Sequence, residues 1–257
     1  MRILILGCGW VGEEIAIHFK NKGAEVYTTC TSDEKRAYLQ KLGFNSLSVD
    51  FDLNDSILGF PTEFDFVLNS IPASSRHTED QVNKRFQHVK SYLSKIHFQK
   101  QIYLSSIGIY PDTDCWFNED CAENMNARLW GAEQKMTSVN TTIYRLGGLF
   151  GKQRIFAKYF QHRICTTGDQ LANFVHLQDV VNLIIKGFEN AFQDAIYNIV
   201  APEHPTKKEV ILTSAAKYGL DLPADFKPHD SFQKVVDGSR ISNELNYQFI
   251  YSSPLNF

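Results

Sequence analysis

Ile3-Leu4-Ile5-Leu6-Gly7-Cys8-Gly9-Trp10-Val11-Gly12 runs from four consecutive apolar residues straight into three glycines at GxGxxG spacing. A short continuous apolar run is what a strand buried on both faces of a parallel sheet requires. From Val11 to Lys22 the pattern turns helical, so the glycines occupy a strand-to-helix turn. In that context Gly7 suits the tight turn, Gly9 lets backbone approach a pyrophosphate, and Gly12 lets the helix pack on the strand. The N–H groups that open the helix, at Trp10, Val11 and Gly12, lack intrahelical acceptors, and the helix dipole favours negative charge beside them.

The alternation continues outward from this turn. Glu25 to Thr29 reads as a second strand, Asp33 to Leu42 as an amphipathic helix and Ser46 to Val49 as a third strand. Phe66 to Asn69 gives strand four, and Val82, Phe86, Val89, Leu93 and Ile96 fall at helical spacing between Asp80 and His97. Ile102 to Ser105 is strand five, Ala127 to Met136 a helix, and Thr142 to Arg145 strand six. The expected fold class is α/β: a Rossmann doubly wound parallel sheet with helices on both faces, over residues 1–150.

Beyond Gly147-Gly148 the rhythm becomes irregular. A helix from Leu177 to Asn190 and a strand from Ile196 to Ile199 return residues 176–200 to the sheet, and Thr206 to Tyr218 is a further helix. Leu222 to Pro228 reads as a connector, and the remainder of 151–257 is expected to be a small C-terminal substrate lobe. His176 and Asp179 read as a helix entry, with Asp179 near the positive end of the helix dipole. Arg154 and Arg163 are either surface residues or holders of an anionic group.

The bulk properties narrow the function classes. A chain of 257 residues with 43% hydrophobic content can bury a large core. A net charge of −3, a pI near 6.2 and no Lys/Arg-rich block argue against nucleic acid or an anionic membrane as partner. No apolar run approaches the roughly 20 residues that span a bilayer, and Met1 to Leu6 is too short for a signal peptide. Cys8, Cys30, Cys115, Cys121 and Cys165 are odd in number and lack a CxxC pair, so no metal is expected and reduced thiols in a cytoplasmic protein fit best.

The tip of strand two bears on the choice of cofactor, because an acidic side chain there accepts from the adenosine ribose hydroxyls of NAD. This chain has Thr28-Thr29-Cys30-Thr31-Ser32, with no carboxylate to repel a 2′-phosphate. Thr31, Ser32, Lys35 and Arg36 can hydrogen-bond or neutralise one, so NADP is favoured over NAD, although Lys35 and Arg36 also suit an ordinary solvated helix face. Asp50, ending strand three, is placed to accept from the adenine amino group, whereas Asp52 and Asp55 read equally well as caps of a following helix. Asn69 closes strand four at the carboxyl edge of the sheet, where it would meet the nicotinamide-side ribose.

Five ordered stretches together resemble the extended short-chain dehydrogenase/reductases, the NAD-dependent epimerase/dehydratase group. They are the glycine turn, Tyr103-Leu104-Ser105-Ser106-Ile107-Gly108-Ile109-Tyr110, Tyr144-Arg145-Leu146-Gly147-Gly148-Leu149-Phe150-Gly151, Phe174-Val175-His176-Leu177-Gln178-Asp179, and Tyr197-Asn198-Ile199. Trp116-Phe117-Asn118-Glu119 and Ala132-Glu133-Gln134 are similar to an atypical branch labelled nucleoside-diphosphate-sugar epimerase-like. The resemblance implies a nicotinamide cofactor, with Ser105 beside it, a small-molecule substrate, and helices that in this family build homodimer interfaces.

It also exposes a departure. In the family a Tyr in a YxxxK helix exchanges the proton at the substrate carbon and a Ser or Thr orients the substrate oxygen. Ser106 stands at the Ser/Thr position, but Met125 stands at the Tyr position and Leu129 at the Lys position. Neither side chain can exchange a proton or carry charge near neutral pH, and losing such a group reduces rate by about 10²–10⁴-fold. Candidate substitutes near the carboxyl edge are Tyr110, His77, Arg76, Asp112, Glu119 and Arg128, each of which also has an ordinary packing or surface reading.

Two functions follow. One is an atypical NAD(P)-dependent oxidoreductase or epimerase acting on a small polar, phosphorylated or sugar-like substrate. The other is a non-catalytic NAD(P)-binding redox sensor or regulatory protein, for which Met125 and Leu129 speak. A scaffold that has lost cofactor binding is disfavoured by the complete glycine turn.

Overall fold

The computed structural model describes residues 1–138, 140–227 and 229–257. Its centre is a seven-stranded sheet built from β1 (Arg2–Leu6), β2 (Glu25–Cys30), β3 (Asn45–Ser48), β4 (Glu63–Asn69), β5 (His97–Ser106), β6 (Thr141–Leu146) and β7 (Ile196–Ile199). The strand order is β7-β6-β5-β4-β1-β2-β3. β1 pairs in parallel with both β2 and β4, so that Leu4 lies opposite Tyr27 on one side and Val67 on the other. The chain steps from β1 out to β2 and β3, then returns to β4 on the opposite side. This reversal opens a crevice at the carboxyl ends of β1 and β4, the place where ligands bind in doubly wound sheets.

The chain divides into two compact units. The first comprises Met1–Ile109, Met125–Tyr144 and Ile184–Ile196. It carries helices α1 (Trp10–Asn21), α2 (Asp33–Lys41), α3 (Glu79–Leu93) and α4 (Ala127–Met136), together with the end of α5 (Leu177–Glu189). Successive side chains of a strand point to opposite faces. Leu4 and Leu6 accordingly pack with Val82, Phe86 and Val89 of α3 and with Ala132 and Met136 of α4. On the opposite face Phe19 of α1, Phe66 of β4 and Phe188 of α5 form a ring cluster, with Phe66 stacked on Phe188 at 4.7 Å. Lys100 Nζ donates to the α5 carbonyls of Gly187 at 2.9 Å and Phe188 at 3.2 Å, a cation at the negative end of that helix. Helices thus cover both faces of the sheet.

The second unit comprises Tyr110–Asn124, Arg145–Leu183 and Tyr197–Phe257. Three short parallel pairings stitch it together: Phe174–His176 with Gly148–Phe150, Asp225–Phe226 with Ile164–Cys165, and Val235–Val236 with Trp116–Phe117. Helix α6 (Lys207–Tyr218) starts in a capping box between Thr206 and Glu209 and stops at Gly219, whose φ of 61° is the left-handed conformation glycine tolerates. Asp179, fully buried, accepts from the Tyr247 hydroxyl at 2.7 Å and from the amides of Ile250 at 2.8 Å and Tyr251 at 3.1 Å. The ring of His176 stacks on Tyr251, and its Nδ1 accepts from the Gln178 amide. Both residues hold the C-terminal segment against the start of α5.

Several expectations are corrected. Asp52 and Asp55 cap no helix. The next helix begins only at Glu79, capped by Thr78, whose hydroxyl accepts from the Gln81 amide. Asp52 instead pairs with Arg85 and Asp55 with Ser91 and Lys95, all on α3 or just beyond it. Helix α3 stops at Leu93, and β5 begins at His97 rather than Ile102, because His97 and Phe98 pair with Glu63 and Phe64 of an equally extended β4. Those half-buried, alternating ends carry no continuous apolar run. The connector contains the strand Asp225–Phe226, and Pro228 lies outside the described residues. No described helix is long and apolar enough to cross a membrane, and all five cysteines are free.

Candidate functional site

In the first unit the glycine turn has the geometry its spacing demands. Gly7 sits at φ +73°, and a Cβ there would lie 3.2 Å from Ile71 Cγ1, so both backbone and space call for glycine. A Cβ on Gly12 would lie 3.0 Å from Ile5 Cγ2, which sets how closely α1 approaches β1. Gly9 is different. Its φ is −93° and its nearest prospective contact, 3.8 Å away, is an ordinary one with the carbonyl oxygen of Gly7. Nothing in the protein requires glycine at this position, whereas a group lying against the turn would. Gly9 is also the N-cap of α1 and makes no side-chain hydrogen bond to the amides of the first turn. This arrangement fits a pyrophosphate.

Around the turn lies a cavity of about 410 Å³. Gly7, Cys8 and Gly9 form its floor, Thr29, Cys30, Thr31 and Lys35 one wall, and Val49, Asp50, Phe51 and Asp52 another. Ile71, Pro72, His77 and Arg85 complete it. Thr29 couples β2 to the turn: its Oγ1 accepts from the Gly7 amide at 2.9 Å and its carbonyl from the Cys8 amide at 2.7 Å. Burial pushes the Cys8 thiol up to about 12, so it lines the cavity as a neutral group.

Of the four residues expected around a 2′-phosphate, Thr31 and Lys35 reach the cavity wall. Ser32 does not, because its hydroxyl accepts from the Lys35 amide at 3.2 Å and caps α2. Arg36 turns to Asp33 at 3.4 Å. Lys35 Nζ is held 2.7 Å from Glu13 of α1, which also accepts from the Tyr38 hydroxyl at 2.8 Å.

Asp50 lines the cavity while one carboxylate oxygen accepts from the Asp52 amide at 2.8 Å. Asp52 takes a bidentate pair from Arg85, Nε to Oδ1 at 2.7 Å and Nη2 to Oδ2 at 2.6 Å, and Arg85 Nη1 donates to the Pro72 carbonyl at 2.9 Å. The Arg85 hydrogen bonds hold the Asp52 carboxyl below its ordinary range. Sequence reading missed this pair and Thr29. A signal existed, since Arg85 falls on the apolar stripe of α3 with Val82, Phe86 and Val89. Asn69 is turned inward: its Oδ1 accepts from the Ile71 amide at 3.1 Å and it is fully buried, so it shapes the turn rather than lining the cavity.

Pro72 is shared with a second cavity of about 470 Å³, lined by Ala73, Ser74, Ser75, Tyr103, Leu104, Ser105, Ser106, Gly108, Arg128 and Leu129. Ser105 Oγ donates to Glu133 at 2.5 Å, with both side chains buried. Ser106 Oγ accepts from the Gly108 amide at 3.1 Å. Leu129 is in the first turn of α4, and Met125 lies one residue before its N-cap Asn126. Burial, reinforced by the charge of Glu133, pushes the hydroxyl of Tyr103 well above its ordinary range.

Other candidates belong to the second unit. Tyr110 is buried and its hydroxyl is committed, donating to Asn198 Oδ1 at 2.9 Å and accepting from Arg145 Nη1 at 2.8 Å. Glu119 accepts from the Asn198 amide at 2.7 Å and lies 3.4 Å from Arg240 Nε, and burial raises its carboxyl. Asp112 pairs with Lys234, while Arg154 and Arg163 are exposed. These contacts explain Tyr110 and Glu119 as interior polar struts.

No family model matches the chain. Protein YeeZ of Escherichia coli strain K12 is 27% identical over 273 residues, covering 99% of this chain and 97% of that protein. The solved structure of UDP-glucose 4-epimerase from Thermotoga maritima with UDP-glucose superposes with a TM-score of 0.80 at 14% identity, covering 100% of this chain and 96% of that one. Human epimerase family protein SDR39U1 with NADPH superposes with a TM-score of 0.75 at 14% identity, covering 100% and 97%.

Proposed function

We propose that this chain, which has the fold of the extended short-chain dehydrogenase/reductases of the NAD-dependent epimerase type, binds a nicotinamide dinucleotide in the cavity around Gly7, Gly9 and Gly12. We further propose that it serves as an atypical oxidoreductase or epimerase on a small polar or sugar-like molecule. The observation that carries the reading is Gly9, a glycine that the protein's own packing does not require and that floors the cavity at an uncapped helix start.

When bound, the nicotinamide supplies or accepts a hydride. The chain's residues do the rest. The amides at the start of α1 take the pyrophosphate, Asp50 faces the adenine side, and Ser106 orients a substrate oxygen. With Met125 and Leu129 at the tyrosine and lysine positions, proton exchange falls to another group or to water, and turnover is correspondingly slow. NADP is the preferred dinucleotide in this reading, since Thr31 and Lys35 stand on the wall and no carboxylate lies at the tip of β2. A 2′-phosphate there competes with Glu13 for Lys35.

The test is calorimetric titration of the purified chain with NADP(H) and NAD(H) at matched ionic strength. Saturable binding of either pair supports the reading, and tighter binding of the phosphorylated pair supports the role of Thr31 and Lys35. Failure of all four to bind overturns it.

A further inference from the structure

The second cavity presents a cation and several hydroxyls but no acid. Its lining holds one cation, Arg128, and no carboxylate. Among the described residues Arg128 makes a single hydrogen bond, Nε to the Ala73 carbonyl at 3.1 Å. Both terminal nitrogens, the edge of the guanidinium that takes an oxyanion in two parallel bonds, are left without a protein acceptor. Arg2, Arg36, Arg85 and Arg240, by contrast, each face a carboxylate.

The hydroxyls point the same way. Ser74 Oγ accepts from the Arg76 amide at 3.2 Å and Ser106 Oγ from the Gly108 amide at 3.1 Å. Each has an acceptor side occupied by backbone, so its proton remains to be donated. The Ser105 hydroxyl already donates its hydrogen bond to Glu133. Arg128 moreover lies in the first turn of α4, the positive end of that helix. A half-buried arginine and two hydroxyl donors, with no acid among them, match an anionic oxygen group and leave a neutral ligand with mismatched acceptors.

We infer that this cavity is an oxyanion site, in which Arg128 holds a carboxylate or phosphate by its terminal nitrogens while the hydroxyls of Ser74 and Ser106 donate hydrogen bonds to it. The inference rests on reading the adjoining cavity as the dinucleotide site, and it names the substrate class: a small molecule carrying a carboxylate or phosphate.

The probes are oxalate and inorganic phosphate, titrated calorimetrically into the full chain saturated with its preferred dinucleotide, which blocks the glycine turn to free phosphate. Saturable binding of oxalate alone assigns a planar carboxylate, of phosphate alone a phosphate group, and of both the shared chemistry. Arg128→Met is expected to weaken the anion roughly tenfold or more, and Arg128→Lys, which keeps the charge but loses the fork, less. Absence of binding by either anion overturns the inference, as does unchanged affinity in Arg128→Met with an unchanged melting curve. If Arg128→Met instead loses dinucleotide affinity while remaining folded, the cavity belongs to the dinucleotide and the inference fails. The titration is repeated without dinucleotide, so that anion binding in a chain that takes no dinucleotide separates the failure of that reading from the failure of this one.

Discussion

Thr29 and Gly7 are joined twenty-two residues apart by one bond, the Gly7 amide donating to the Thr29 hydroxyl at 2.9 Å. That bond holds a glycine of left-handed conformation at the mouth of the crevice, with Thr29 only 2% exposed. Thr29→Val keeps the shape and removes the acceptor, leaving a half-buried N–H unmatched at a cost of about 1 kcal/mol. The expected result is a lower denaturant midpoint and weaker dinucleotide binding, with Thr29→Ser close to wild type. Equal midpoints for Val and Ser would remove the bond from the account.

Gly9 and Gly12 are predicted to separate. Gly12→Ala places a methyl 3.0 Å from Ile5 and is expected to destabilise by about 1–3 kcal/mol. A Cβ on Gly9 meets no comparable obstacle in the protein, so Gly9→Val should lower stability by no more than about 1 kcal/mol, the preference of the N-cap for glycine over valine, while dinucleotide binding disappears. Thermal melts paired with calorimetry check both. Retained binding in Gly9→Val sinks the assignment of the turn.

Acid stability is expected to depend on Asp52. Its carboxyl is depressed below the ordinary 3.8, first by the Arg85 hydrogen bonds. A depressed group contributes stability that is complete above the unfolded value and fades as pH falls through the folded one. The wild type should therefore lose this contribution below about pH 4, and Asp52→Asn should lack it at neutral pH. Because the Asp52 side chain is 37% exposed, the neutral-pH loss is about 1–3 kcal/mol rather than that of a fully buried pair. Parallel urea titrations of both proteins from pH 2.5 to 7 (about the carboxylate range) should converge at the acid end; a constant gap means Asp52 acts through packing alone.

Adjacent serines are predicted to behave oppositely. Ser105→Ala deprives buried Glu133 of its hydroxyl partner and should lower stability by about 1.5–3 kcal/mol. Ser106→Ala, half-exposed and bonded only to a turn amide, should change stability by less than ~0.5 kcal/mol and leave dinucleotide affinity intact, while turnover on any substrate found is lost. Unchanged turnover would take Ser106 out of the mechanism.

The strand, glycine turn and first helix were legible because their causes are local. A buried strand needs a continuous apolar run, a left-handed turn needs glycine, and a helix shows its period within a dozen residues. Half-buried strand ends, such as Glu63–Asp65 and His97–Lys100, carry weaker patterning and emerged only through their pairing with each other.

Side-chain partners were another matter. Ser32 and Arg36 were as well spaced for a phosphate as Thr31 and Lys35, yet a cap on α2 took one and Asp33 the other. Tyr110 stood in a catalytic-looking motif, yet Arg145 and Asn198 engage its hydroxyl. The sequence by itself determined the doubly wound fold and the glycine turn, both of which are set by residue type within a short window. Only the tertiary structure decided that Thr29 meets Gly7, that Arg85 meets Asp52 and that Arg128 meets no carboxylate among the described residues, because hydrogen bonds between distant segments depend on which elements the packed sheet brings together.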